Sequence, residues 1–437
     1  MQQRFGKKEK LNGYIKAILF IYLFTVLSGA LRKWVISSKE IGNFILFLQI
    51  IVPFTLLLVK GGMQNWKIGK SFFYFYIFSL VLCSFNPINK TIYHGMLGIL
   101  LHASFFFIVI FYINNRDKLN FNQLLKYLVP LGIFQLLLVF FQYTQPPQSF
   151  INTYADVDAV GGVAIVGTSA RVSGTFSYIS GFTGFLFFHS LFVWALFKRK
   201  LPSYIILYLL FFGLVACFMS GARSATYLYL IIFGAFAITE MKTLRNSVFD
   251  KKLLMPILIT SLIVLGTGNK SIGDLIERSV GGFTERRNAG RESGEENERI
   301  YGDFTSLLNF SGNYPVFGLG LGSTYQGANK IFGTSQEIKD YGFFESEIIR
   351  IILEGGFFLF FIRLIFLIYL INLLTIPVLG KVVLCIILLF FFSIVFNLYN
   401  AVLAAIGIII LDYYYYVELI SKRIAFINNS PKKYFNN

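Results

Sequence analysis

Four arginines stand where a positive charge needs a reason. Arg32, Arg171, Arg223 and Arg350 each fall at the end of a long apolar run, on the side that the charge distribution assigns to the outside. Topology does not favour arginine there, and at mid-span a charge costs about 2.5–3.5 kcal/mol. A guanidinium grips phosphate oxygens in pairs, so a cluster of arginines suits a pyrophosphate. Snorkelling toward lipid headgroups explains any single one equally well. Two carboxylates follow in Phe344-Glu345-Ser346-Glu347, just before another apolar run. A carboxylate at a membrane boundary is partly desolvated, and there it can take a proton from a sugar hydroxyl. The plainer role for Glu345 and Glu347 is to stabilise the positive end of the helix that follows. Glu347 is also spaced to pair with Arg350 on one helix face.

The elements that must hold these side chains are membrane spans. The chain has 437 residues, 56% of them hydrophobic and 14% charged, whereas a soluble domain carries about a quarter charged. Apolar runs of about twenty residues predict an all-α polytopic membrane protein with about twelve transmembrane helices. They fall at 14–31, 41–59, 71–86, 93–113, 124–143, 176–197, 203–219, 222–239, 253–268, 348–373, 381–397 and 399–417. Outer-membrane barrels show short alternating segments instead. No small-residue cleavage site follows Tyr14–Leu31, so the first run reads as a span and not as a cleaved signal.

Charge sets the expected orientation. Lys7, Lys60, Lys67, Arg116, Lys118, Lys198, Lys200, Lys242, Lys381 and Lys422 share one side if the spans alternate, and the short loops on the opposite side hold few basic residues. The positive-inside rule then places both termini of a multi-pass membrane protein in the cytoplasm. The net charge of +17 comes mainly from these loops and does not call for nucleic acid.

Three regions result: helices one to nine in 1–268 with a smaller outer loop at 144–175, a large outer loop at 269–347, and helices ten to twelve with a tail in 348–437. A loop as long as 269–347 is uncommon and is usually functional or disordered. Its middle, 284–300, holds Arg286, Arg287, Arg291 and Arg299 and reads as mobile, whereas the part around Tyr314-Pro315-Val316-Phe317-Gly318 is apolar enough to pack as a lid. Gly318-Leu319-Gly320-Leu321-Gly322 lacks the Gly-Lys-Ser/Thr ending of a P-loop and reads as a tight turn. Cys83, Cys217 and Cys385 lie in apolar runs and form no disulfide or metal framework. Tyr413-Tyr414-Tyr415-Tyr416 reads as an interfacial anchoring belt. Lys16 and Arg363, the main basic residues inside spans, are expected to snorkel.

Several motifs resemble those of bacterial O-antigen polymerase-like proteins. They are Ser28-Gly29-Ala30-Leu31-Arg32-Lys33-Trp34, Arg171-Val172-Ser173-Gly174-Thr175-Phe176, Ser220-Gly221-Ala222-Arg223, Pro315-Val316-Phe317-Gly318-Leu319-Gly320, and Glu345-Ser346-Glu347-Ile348-Ile349-Arg350 followed by Glu354-Gly355-Gly356. The resemblance covers nearly the whole chain in order. It implies a C-type glycosyltransferase (GT-C) membrane fold and no metal or other cofactor. The implied donor is an undecaprenyl-pyrophosphate-linked glycan, taken up at the periplasmic face, and the acceptor is a second lipid-linked repeat unit. Membrane lipids are implied as partners, and a chain-length regulator is left open as one. Ligases of this family carry a His-Asn pair nine residues before the Glu-x-Gly segment. Here Glu345 and Ser346 stand there, which favours a polysaccharide polymerase. Glu345, or failing that Glu347, would deprotonate the acceptor. Arg171 and Arg223, with Arg32, Arg299 or Arg350, would neutralise the leaving pyrophosphate. An O-antigen ligase, transferring glycan to lipid A core or protein, stays open, as does a polysaccharide flippase.

Overall fold

The computed structural model describes residues 12–36, 38–61, 63, 66–155, 160–161, 165–166, 169–241, 281, 284, 288, 316–335, 338–339, 346–395 and 397–429. Within them the chain is a helical bundle. In chain order the helices are α1 (Gly13–Ala30), α2 (Lys39–Gly61), α3 (Lys70–Ser84), α4 (Ile92–Asn115), α5 (Phe121–Thr144), α6 (Ile179–Lys198), α7 (Ser203–Ser220), α8 (Arg223–Thr239), α9 (Gln326–Phe332), α10 (Glu347–Asn372), α11 (Val378–Ile386) and α12 (Leu398–Asn429). Seven stretches among the described residues are long and apolar enough to cross a membrane, and four shorter apolar helices accompany them. The protein is membrane-embedded, and among the described residues it is helical apart from two minimal antiparallel pairs, Tyr154–Ala155 with Val160–Gly161 and Ile165–Val166 with Ser169–Ala170. The expected span at 253–268 and most of the 269–347 loop lie outside the described residues.

Burial orders the bundle. In the most apolar stretch of α6, 94% of residues are buried, against 28% for α2. So α6 is surrounded by protein, with α12, α7 and α8 beside it, while α2 presents Ile41, Phe44 and Phe47 outward. Such apolar exposure suits a helix that faces lipid tails.

The bundle has two distinct ends. At one, Asn12 donates from Nδ2 to Lys118 O at 2.8 Å, Arg199 Nε donates to Asn122 Oδ1 at 2.8 Å, and Lys198 Nζ pairs with Glu240 and Glu418 at 3.3 and 2.6 Å. Helices that must alternate in direction therefore bring the expected basic loops together. The tyrosine run sits here too, but in a different role from an interfacial belt. Tyr414 donates to Asn122 Oδ1 (3.2 Å), Tyr415 to Glu240 Oε1 (2.5 Å) and Tyr416 to Asp117. Arg116 stacks on Tyr416 at 4.2 Å, and Lys198 lies over Tyr415 at 4.6 Å. These hydroxyls tie neighbouring helix ends together, because α12 is long enough to run beyond the hydrocarbon among polar loops.

At the opposite end α10 breaks. Gly356 has φ 65 and ψ −170, far from helical values. A straight helix would separate residues sixteen apart by about 24 Å along its axis, more than two side chains can bridge. Yet Arg363 Nη2 lies 2.6 Å from Glu347 Oε1. The expected single span at 348–373 is thus two pieces bent toward each other at Gly356. A broken helix inside a membrane needs partners for its freed backbone groups. The glycine-rich turn supplies them: Leu319 N donates to Leu353 O (2.6 Å), Gly320 N to Glu354 O (3.0 Å), and Phe358 N to Val316 O (3.2 Å). A side chain at Gly356 would collide with the Val316 carbonyl. Asn86 and Asn89, between α3 and α4, hold the turn from the other side through Gly318 O (2.9 Å) and Leu321 O (3.1 Å). The run Gly318–Gly322 is therefore a packed structural turn.

Candidate functional site

The segment Arg171–Ser177 organises the end of the bundle opposite the basic loops. It lies against α1 at Gly29, where a Cβ would come within 2.5 Å of Ser177 N and collide with the Thr175 carbonyl. Only glycine allows that approach. The amides of α5 fix the segment. Gln142 Oε1 accepts from Gly174 N at 2.8 Å, Gln142 Nε2 donates to Gly174 O at 3.1 Å, and Gln135 Oε1 accepts from Thr175 N at 3.2 Å. Gly174 takes φ 57, a left-handed conformation suited to glycine.

Three cationic side chains meet this segment. Beyond Ala30 the first helix widens into a π turn, Leu31–Val35, that carries Arg32 and Lys33; such turns are frequent at functional sites. Arg32 Nη1 donates to Ser177 Oγ at 3.0 Å, and that hydroxyl also contacts the Tyr399 hydroxyl at 2.9 Å. Arg32 Nε is buried with no hydrogen-bond partner. Lys33 Nζ donates to Ser173 Oγ and Gly174 O, both at 3.0 Å, and stands 4.8 Å from the Trp34 ring. Arg171, which opens the segment, donates from Nε to Ser220 O at 3.3 Å. Ser220 closes α7, and Arg223 opens α8 two residues beyond Gly221, whose φ of 60 makes the turn. The expected residues Arg32, Arg171 and Arg223 are thus all at one end of the bundle: Arg32 contacts the last residue of the seven-residue segment that Arg171 opens, and Arg171 reaches the turn before Arg223. Lys33 was not singled out from sequence. Its adjacency to Arg32 was the available signal.

Tyr325 borders the same place. Burial pushes its phenol up to about 12; the Arg32 guanidinium pulls it down and Tyr399 pushes it up. At neutral pH Tyr325 therefore keeps its proton.

A second, fully interior cluster lies on the broken helix. Glu354 Oε2 accepts from Gly322 N at 2.8 Å and meets His102 Nε2 at 2.9 Å. Its Oε1 accepts from Thr324 N at 3.1 Å and Thr324 Oγ1 at 2.6 Å. His102 Nδ1 is 3.4 Å from Arg363 Nη1, and Arg363 pairs with Glu347. Glu347 also accepts from Ser393 Oγ (2.7 Å) and Val395 N (3.1 Å), in the non-helical stretch before α12. So Glu347 pairs with Arg363 and not with Arg350, three residues along. Arg363 does not snorkel; it is 3% exposed and ion-paired. Lys16, by contrast, is exposed. Arg350 is buried on the first piece of α10. Sequence reasoning placed no role on His102. A histidine inside an apolar span is itself the signal, since such a group is costly there without a partner.

Glu345 and Arg299 lie outside the described residues. Among the described residues no three His, Cys, Asp or Glu side chains gather so as to hold a metal ion. Compared with known proteins, the chain matches no family model, no curated protein and no solved structure.

Proposed function

We propose that this protein is a metal-independent glycosyltransferase that polymerises a cell-surface polysaccharide of O-antigen type. Its donor is a glycan on undecaprenyl pyrophosphate, and its acceptor is the terminal hydroxyl of another lipid-linked repeat unit. The GT-C fold, the inner-membrane location and the periplasmic exposure of the arginine-bearing end belong to this same reading.

The observation that carries it is the cationic end of the bundle around Arg171–Ser177, where Arg32 keeps a buried Nε without a partner. Breaking the bond from the anomeric carbon to pyrophosphate leaves negative charge on phosphate oxygens. Fixed guanidinium groups in a poorly solvated place stabilise that charge as it develops. Arg32, Arg171 and Arg223 take that role, with Arg299 and Arg350 as further candidates. No nucleotide is consumed, because the lipid pyrophosphate is already an activated leaving group. The proton on the acceptor hydroxyl must go to a base. Glu345 fits that role better than Glu347, whose carboxylate already accepts from Arg363, Ser393 and Val395. Deleting the gene tests the class of reaction. A polymerase deletion leaves single repeat units on the surface carrier, whereas loss of all attached glycan with free polymer on the lipid identifies a ligase.

One observation favours transport. A broken helix and a buried ionisable cluster at Glu347, Arg363, His102 and Glu354 are features that transporters use near the midplane. Lipid-linked repeat units trapped on the cytoplasmic leaflet in the deletion strain would decide for that reading.

A further inference from the structure

Lys33 is 9% exposed, and its ammonium has only neutral partners, Ser173 Oγ and Gly174 O. Beside it Arg32 has one neutral partner, the Ser177 hydroxyl, and an Nε with none. Among the described residues neither cation has a carboxylate within ion-pair distance. The interior carboxylates of the same end are already engaged: Glu347 by Arg363, Ser393 and Val395, and Glu354 by His102, Gly322 and Thr324. Two adjacent, poorly solvated cations without a counter-charge are costly, and an arriving anion removes that cost. The π turn offers Arg32 and Lys33 from consecutive positions, with hydroxyls of Ser173, Ser177 and Tyr399 around them.

We infer that Lys33 is a substrate-binding residue, and that with Arg32 it forms one half of the cradle for the donor's pyrophosphate. Arg171, which opens the segment and reaches Ser220 O, and Arg223, which opens the next helix, form the other half. This rests on the polymerase reading for the identity of the donor, while the anion site itself rests on the geometry alone. Ser173 Oγ and Gly174 O orient the ammonium. Pyrophosphate oxygens then supply the missing charge, and the point charge of Lys33 complements the planar fork of Arg32.

The test is calorimetric titration of inorganic pyrophosphate into the full-length protein in nanodiscs of zwitterionic lipid. Lys33→Met keeps the apolar stem and removes the charge, and Lys33→Arg keeps the charge. The inference predicts that K33M weakens pyrophosphate binding by about tenfold or more, as expected for losing a charge-assisted contact, while K33R stays near wild type. If K33M does not fold, Lys33→Gln is read the same way. Unchanged affinity in a folded K33M or K33Q overturns the inference. A repeat in discs with anionic lipid separates the two sources of phosphate. If anionic lipid abolishes pyrophosphate binding to wild type, and co-purifies with wild type but not with K33M, the site belongs to lipid headgroups and the inference is overturned. The outcomes also separate from the polymerase reading. Lys33-dependent binding in a protein that makes no polymer retains the site and removes the polymerase. Polymer synthesis with Lys33-independent binding does the reverse.

Discussion

At the residue scale, the account turns on which charges are satisfied internally and which are not. Glu354 collects four hydrogen bonds and Glu347 collects bonds from Arg363, Ser393 and Val395. These carboxylates hold the architecture. Removing one partner of a buried pair leaves the other charge uncompensated, at about 3–5 kcal/mol. Glu354→Gln should therefore lower thermal stability in detergent clearly, and Arg363→Met likewise. Melting curves that overlay wild type would contradict the framework role. Arg32 is the contrasting case. Arg32→Lys keeps a charge but cannot reproduce the planar fork toward phosphate. It is expected to cut polymer synthesis about tenfold or more with little change in melting temperature, read from glycan yield and thermal unfolding of the same preparation. The arginines and the paired glutamates were legible in the sequence as residue types in unusual places. The partner choice was not. Glu347 and Arg350 look paired at helical spacing, but the bend at Gly356 carries Arg363 to Glu347 instead. No local pattern reports that bend beyond the Gly355-Gly356 pair.

At the scale of elements, glycine sets the site by permitting close approach. Gly29 lets the Arg171–Ser177 segment lie on α1, and Gly356 lets α10 turn back beneath the Val316 carbonyl. Gly29→Ala must push the segment away and with it the contacts of Arg32 and Lys33 to Ser177 and Ser173. The expected result is pyrophosphate binding weakened several-fold or more, with the helical content of the protein unchanged by circular dichroism. Gly356→Ala adds a strain of about 1–3 kcal/mol for the left-handed backbone, before its collision with Val316. It should destabilise more than Gly234→Ala in α8, where a Cβ meets nothing within 4 Å; equal melting temperatures would refute the proposed packing. Spans were legible because apolar runs of sufficient length have few alternative structures. The non-helical stretch at 392–395, inside an apolar run predicted as a span to 397, was not. Its backbone is satisfied by side chains distant in sequence, Glu347 to Val395 N and Asn400 to Ser393 O.

At the scale of the whole molecule, charge and alternation agree. The basic loops meet at one end, and the arginines around Arg171–Ser177 gather at the other. The positive-inside rule then predicts that the arginine end faces away from the cytoplasm. A single cysteine at Ser149 should react with a membrane-impermeant reagent on intact spheroplasts, while one at Lys200 should react only after lysis. The reverse pattern would turn the site toward the cytoplasm and remove the periplasmic donor. The chemistry proposed here rests on that end of the molecule carrying function and not only fold. Its most direct test replaces Arg32, Arg171, Arg223, Glu345 and Glu347 one at a time with Ala, in a strain whose surface glycan depends on this gene. Membrane expression is confirmed, and glycan chain length is read on a gel. The account predicts collapse to a single repeat unit on the surface carrier for Arg32, Arg171, Arg223 and Glu345, and loss of the folded protein for Glu347. Normal ladders from every arginine variant and from Glu345→Ala would contradict it.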